Sequence, residues 1–266
     1  MDFDKNTVKC VSIAKRPGSF GLNFHNAGYK LFGLNQFYLP LKVNEGDLRS
    51  TVQLVRDNFH ACSVSMPHKI EVIKYLDEMD SSAESTGAVN TILNIGDGRL
   101  KGYNTDYYGA KKAIEKNLDD LKDKDVLMIG SGGVAYAVGK AVNDLGGRLK
   151  VTNRTEANAK KLIEKVGAEF VPWAKRESVE GYLLINATSV GMGNSTDMPT
   201  NIASLNNFSA VMDVVASNQT KLIKEAVGLG KKTVTGRTMT VYQAEKQFEI
   251  YTGKALPESF LEEFLE

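Results

Sequence analysis

Two periodicities of apolar and polar positions replace each other along this chain from end to end. Short apolar runs give way to segments with apolar side chains three and four residues apart. That alternation predicts an α/β protein with parallel sheets. VKCVSIA (8–14) reads as a first strand, residues 23–32 as a helix and QFYLPLKV (36–43) as a second strand. Residues 46–57 carry Leu48, Val52 and Val55 at helical spacing, and ACSVS (61–65) is a short apolar strand. PHKIEVIKYL predicts a helix with Pro67 at its first position and Ile70, Ile73 and Leu76 on one face. Two alternating runs joined by Gly96-Asp97-Gly98 predict a hairpin, followed by a helix over 106–117.

A second unit opens at LKDKDVLMIGSGGVAYAVGKAV, which reads as strand, glycine turn and helix. RLKVTNRT is the next strand and EANAKKLIEKVG a helix. YLLINATS, SAVMDVV and KKTVT read as further strands, and TMTVYQAEKQFEIYTG and PESFLEEFLE as a helical tail. No repeat, low-complexity segment or Pro/Ser-rich linker interrupts the chain. Structured elements are therefore expected to join the two units, with a cleft between them.

At 266 residues and 42% hydrophobic content, the chain can build one large or two modest cores. Its 33 Lys and Arg against 32 Asp and Glu leave no long-range attraction for nucleic acid or an anionic membrane. No apolar stretch approaches the ~20 residues of a spanning helix. The N-terminal MDFDKNTVKC is polar, with two Asp and two Lys, unlike a signal peptide, so a cytoplasmic location is expected. Cys10 and Cys62 lie far apart in sequence, and with His25, His60 and His68 they form neither a disulfide framework nor a metal spacing.

The chemistry concentrates in two places. Val126–Ile129 is a buried-strand run ending in Gly130-Ser131-Gly132-Gly133-Val134-Ala135, where a helix begins. Glycines let the backbone turn sharply and approach a pyrophosphate, and the helix N-terminus supplies N–H donors. In this strand–turn–helix context a dinucleotide site is expected; the bland alternative is a structural turn. The next strand ends in Asn153-Arg154-Thr155, with no acid before Glu156 to accept from a ribose 2′-OH. A guanidinium and a hydroxyl suit a 2′-phosphate, which predicts NADP over NAD. Thr155 also reads as a helix N-cap.

The other place is Ser63-Val64-Ser65-Met66-Pro67-His68-Lys69. Lys69 is expected in a first helical turn, where a cation opposes the helix dipole, and this favours a lysine kept for chemistry over a solvated one. Asp106 (in GYNTD), Asn90 (in GAVNT) and Gln243 in the last long helix each have a structural reading, as N-cap, turn residue and solvated polar position.

Taken together, Ser63–Lys69, Gly87–Thr91, Asn104–Asp106, Gly130–Ala135, Asn153–Thr155, Asn186-Ala187-Thr188-Ser189 and Gly236–Gln243 stand in the order found in shikimate dehydrogenases. The chain resembles that family from about His25-Asn26 to Gln243, and most closely its shikimate dehydrogenase-like branch. The resemblance implies an α/β substrate domain (1–105), a Rossmann-type NADP domain (106–235) and C-terminal helices (236–266) returning to the first domain. It implies NADP-linked interconversion of shikimate and 3-dehydroshikimate, within aromatic amino acid biosynthesis. Lys69 and Asp106 match the catalytic pair, and Ser19, Ser65, Asn90, Asn104 and Gln243 match substrate contacts. Thr188 and Gly236 join the glycine turn and Asn153–Thr155 as implied cofactor contacts. An ammonium near a ketone that is gaining a hydride stabilises the developing charge and donates the proton. Dehydrogenation of quinate or another cyclic polyol acid is an alternative, and so is a non-catalytic NADP-binding sensor.

The sequence departs from the family where the substrate carboxylate is usually held. Ser19 matches the first of two serines, but Gly21 replaces the second and Leu22 the following proline; Ala216 replaces a common tyrosine. A weakened grip on shikimate is therefore expected, one that Gly21→Ser should restore, with Arg16 and Asn23 as possible substitute donors.

Overall fold

The computed structural model describes residues 4–193 and 195–265. The chain divides into two compact units. The first runs to Thr105 and takes in Ala244–Phe264; the second comprises Asp106–Gln243 with Leu265.

In the first unit β1 (Val8–Ala14), α1 (Phe20–Leu31), β2 (Gln36–Lys42), α2 (Leu48–Asn58) and β3 (Ala61–Val64) alternate as the periodicity predicts. Then come β4 (Glu78–Met79), α3 (Ser81–Thr86), β5 (Thr91–Asn94) and β6 (Leu100–Tyr103). The sheet order is β2-β1-β3-β5-β6-β4. It is mixed rather than parallel, because β5 runs antiparallel to both β3 and β6. The Gly96–Gly98 turn explains this: a tight hairpin joins only antiparallel strands. One face of the sheet packs Val11, Ile13, Cys62, Val64 and Ile92 against Val52 and Val55 of α2. The other face carries Cys10, Ser12, Tyr38 and Ser63, since side chains alternate along strands.

The segment after β3 differs from its expected form. Residues 66–70 are turns and Glu71–Tyr75 is a single 3₁₀ stretch, so Lys69 does not stand in an α-helical first turn and the dipole argument does not apply to it. The chain is held there by tertiary contacts. His68 is buried with Nε2 3.0 Å from the Val43 carbonyl, while Met66 and Ile70 stay exposed. Val72 is the buried residue of the 3₁₀ stretch, and Ile73, Tyr75 and Leu76 pack partly buried against the same core, while Ile70 stays outside it.

The second unit starts within α4 (Thr105–Asn117) and continues through β7 (Asp125–Ile129), α5 (Gly133–Asp144), β8 (Arg148–Thr152), α6 (Glu156–Val166), β9 (Glu169–Phe170), β10 (Gly181–Asn186), β11 (Phe208–Asp213), α7 (Lys221–Gly228) and β12 (Lys232–Val234). Its strands are ordered β12-β11-β10-β7-β8-β9, and every pair is parallel. The order reverses at β7, the switch point of a doubly wound sheet. The near-continuous apolar run of β7 follows from burial on both faces. α8 (Gly236–Thr252) and α9 (Glu258–Leu265) close the chain. Among the described residues, no helix is long and apolar enough to cross a membrane.

Candidate active site

The glycine turn lies at the carboxyl end of β7, at the switch point. Gly130 has φ +118°, and a Cβ there would lie 2.6 Å from the Ala187 carbonyl oxygen and 2.8 Å from Thr188 Cγ2. Only glycine takes this conformation so close to a neighbouring strand end. Gly132 is exposed, caps α5 without a side chain, and has open space where a Cβ would stand. Ser131, Gly133 and Val134 are half-buried around it, and Ala135 is buried beneath the helix. In the first turn of α5 the Ala135 N–H donates to the Gly132 carbonyl at 2.9 Å, and the cap residue offers no side chain to the N–H groups before it. This backbone turn, with open space at Gly132, fits a pyrophosphate.

At the end of β8, Asn153 is half-buried with Nδ2 donating to the Thr155 carbonyl at 2.9 Å, while Arg154 and Thr155 are exposed. Thr155 occupies the cap position of α6 but makes no side-chain cap bond, which corrects the reading of it as a working N-cap. Its ψ of 101° and the Asn153 amide on its carbonyl set the turn instead. The first acid, Glu156, pairs with Lys160 at 2.7 Å. The residues present therefore suit a phosphorylated ribose better than a bare one.

A buried polar knot backs this turn. Asn186 donates through Nδ2 to the Val190 carbonyl and to Asp213 Oδ1, both at 3.0 Å, and its Oδ1 accepts from Thr188 Oγ1 at 2.7 Å. Asp213 also accepts from Val215 N–H at 3.0 Å and Thr220 Oγ1 at 2.7 Å. Burial raises its carboxyl above the ordinary range, against the lowering effect of those hydrogen bonds. Gly236, at the start of α8, packs so tightly on the Val215 carbonyl that a Cβ would overlap it. Ala216 is exposed beyond β11.

The substrate-type residues divide between the units. In the first, Asn90 is buried, with Nδ2 donating to Thr105 Oγ1 at 3.0 Å and Oδ1 accepting from Thr105 N–H at 2.8 Å. Asn104, also buried, donates through Nδ2 to Thr86 Oγ1 at 2.9 Å and to the Ala88 carbonyl at 3.0 Å. Lys69 is half-buried, and its carbonyl accepts from Val89 N–H at 2.8 Å, beside Asn90. Ser65 and Ser19 are exposed.

In the second unit, Asp106 is buried in the first turn of α4, one residue inside the helix rather than at its cap. A carboxylate there is favoured by the helix dipole. At Gly109 a Cβ would lie 2.8 Å from Gln243 Cβ and 2.6 Å from the Met239 carbonyl oxygen. The absent side chain lets α4 and α8 touch, which puts Asp106, three residues earlier on the same face, on the side of Gln243.

Sequence reasoning missed Gln247. It is buried, accepts from Ser63 Oγ at 3.2 Å, and donates to the Asn90 carbonyl at 3.1 Å and to Thr91 Oγ1 at 2.9 Å. Its place four residues after Gln243, on the same helical face, was the available signal. Ser63 also meets the Tyr251 hydroxyl at 2.9 Å.

A doubly wound parallel sheet with an open glycine cradle at its switch point defines a dinucleotide-binding α/β protein. Comparison with known proteins narrows the class. Residues 18–92 match the shikimate dehydrogenase substrate binding domain, and residues 112–190 match the shikimate/quinate 5-dehydrogenase domain. The shikimate dehydrogenase (NADP(+)) of Methanosphaera stadtmanae is 36% identical over 254 residues, covering 89% of this chain and 88% of that protein. A shikimate dehydrogenase-like protein of Haemophilus influenzae is 36% identical over 256 residues, covering 94% and 92%. Among solved structures, the Thermus thermophilus shikimate 5-dehydrogenase in complex with NADP(H) and shikimate is 29% identical, with TM-score 0.87 over 97% of this chain and 98% of that one. This chain belongs to the shikimate dehydrogenase family.

Proposed function

We propose that the protein is an NADP-dependent dehydrogenase that interconverts shikimate, or a closely related cyclic polyol acid, and the corresponding ketone in the cytoplasm. NADP, when bound, supplies or accepts the hydride. The reading assigns its diphosphate to the Gly130–Ala135 turn, with Thr188 and Gly236 shaping the floor, and its 2′-phosphate to Asn153, Arg154 and Thr155. In the reducing direction the Lys69 ammonium faces the ketone oxygen, stabilises the charge that grows there as the carbon gains hydride, and gives up one proton to form the hydroxyl. Asp106 holds the ammonium and accepts from a neighbouring substrate hydroxyl. Asn90, Asn104, Ser65 and Gln243 offer neutral donors and acceptors suited to a polyol, with Ser19 toward the acid end.

The observation that carries this reading is that a member of this family keeps both Lys69 and Asp106 and carries a glycine turn that fits NADP. A sensor would have no need of both. The experiment is turnover of shikimate, quinate and related acids by the purified protein with NADP, followed by reduced-nicotinamide absorbance. The expected result is reduction of NADP with shikimate or a near analogue. Nucleotide binding without turnover of any acid in the panel would favour the sensor.

A further inference from the structure

The Gln247 side chain meets three groups inside the first unit, and each contact fixes the direction of the next. The Asn90 main-chain carbonyl can only accept, so the nitrogen of the Gln247 amide, 3.1 Å away, is the end that faces it. The same nitrogen gives its second hydrogen to Thr91 Oγ1 at 2.9 Å. With its oxygen engaged in this way, Thr91 turns its own hydroxyl hydrogen to Asn90 Oδ1 at 2.7 Å. On the other side Gln247 Oε1 can only accept. Ser63 Oγ therefore donates to it at 3.2 Å and accepts from the Tyr251 hydroxyl at 2.9 Å.

These bonds form one chain with a single direction, from Tyr251 through Ser63, Gln247 and Thr91 to Asn90. Thr91 is 0% exposed, Asn90 2% and Gln247 4%, so water is not at hand to replace a missing member. Asn90 Oδ1 takes a second hydrogen from Thr105 N–H at 2.8 Å, while Nδ2 donates to Thr105 Oγ1 at 3.0 Å. The orientation of the Asn90 amide thus depends on donors from two sides, and Gln247 governs one of them.

We propose that Gln247 is a positioning residue: by donating to both the Asn90 carbonyl and Thr91, it sets the orientation in which the Asn90 amide meets the substrate. Gln247 acts through Asn90 and does not itself touch the substrate. The inference rests on the proposed function only for the contact between Asn90 and the acid. The residue type matters because two hydrogens are needed on one atom. A glutamate of the same shape has at most one hydrogen to give, and a methionine has none, so neither can serve both acceptors.

The test uses the whole chain as the unmodified protein, Gln247→Met, Gln247→Glu and Thr91→Val. Nuclear magnetic resonance of the Asn90 side-chain amide, assigned by its loss in Asn90→Ala, is recorded without substrate and well below the unfolding temperature. KM and kcat for shikimate with NADP are measured on the same preparations. All three variants should shift the Asn90 amide signals and speed their hydrogen exchange by about tenfold. KM should rise about five- to tenfold while kcat stays within about threefold. In an Asn90→Ala background, Gln247→Met should raise KM no further. Unchanged Asn90 signals in any folded variant would overturn the inference, and a lowered melting temperature beside unchanged signals would mark a merely structural role. Additive rises in KM would show that Gln247 contacts the acid itself and would also overturn it. Unchanged signals in a protein that turns over shikimate would overturn this inference alone. Altered signals in a protein that turns over no polyol acid would uphold it while overturning the proposed function.

Discussion

His25 places an imidazole where water cannot reach it, and this makes acid stability a test of the first unit's architecture. The ring is fully buried among Phe24, Tyr29, Tyr38, Phe248 and Tyr251, and both its nitrogens lack hydrogen-bond partners. Burial lowers its pKa from 6.5 to about 3, with Gln247 exerting a smaller opposite effect. A histidine with a depressed folded pKa makes the unfolded chain the better proton acceptor. Stability is then present in full above the unfolded value and falls as pH drops through it. Between pH 7 and pH 5 the unfolded ring gains most of a proton while the buried ring gains almost none. The linkage over that interval is about 2 kcal/mol. The figure is set by the unfolded ring and hardly depends on how far below 5 the folded value lies. His25→Leu keeps a similar volume and removes the titration. Urea unfolding at the two pH values should show the unmodified protein losing about 2 kcal/mol more than His25→Leu. The absolute stability of the variant also reflects lost stacking, so the pH difference, not the offset, is the readout. Equal pH dependence in the two proteins would refute the account of a buried, neutral His25.

Two further outcomes follow from the second unit. Asp213→Ala should cost about 3 kcal/mol or more, because it leaves Val215 N–H, Asn186 Nδ2 and the Thr220 hydroxyl without their acceptor. Asp213→Asn should retain most of that stability, because its carbonyl can keep the two bonds to Oδ1 and its amide can donate to Thr220. Its raised folded pKa means that the unmodified protein loses stability as pH rises from the ordinary 3.8 through the folded value, a slope that Asp213→Asn should abolish in denaturation measured across acid pH. Arg154→Ala should weaken NADP binding by about tenfold or more and leave NAD binding nearly unchanged in titrations with each nucleotide. Equal losses for the two would contradict a 2′-phosphate role.

Much of the fold was legible because strand and helix periods stand out where segments are long and half-buried. β1, β2 and the β7–α5 turn follow directly from their apolar runs and glycines. The two-residue strands β4 and β9 are too short to show an alternation, and α3 is a polar six-residue helix with no apolar stripe. Pro67–Tyr75 misled because its apolar spacing is helical while its anchors are tertiary: the buried His68 on Val43 and the Lys69 carbonyl on Val89. In the site, residue types that announce chemistry, such as Lys69, Asp106 and the glycines, could be singled out from order and context. Gln247 could not. A glutamine in a helix reads as surface, and only packing shows it binding Asn90 and Thr91.

The central claim is that Lys69 carries the proton to the reacting oxygen. The measurement that tests it most directly is kcat of Lys69→Ala with NADP and shikimate, taken with NADP affinity on the same preparation. The account predicts a fall of about a hundredfold or more in kcat, as loss of a general acid produces, with NADP binding retained. A kcat near that of the unmodified protein would contradict it.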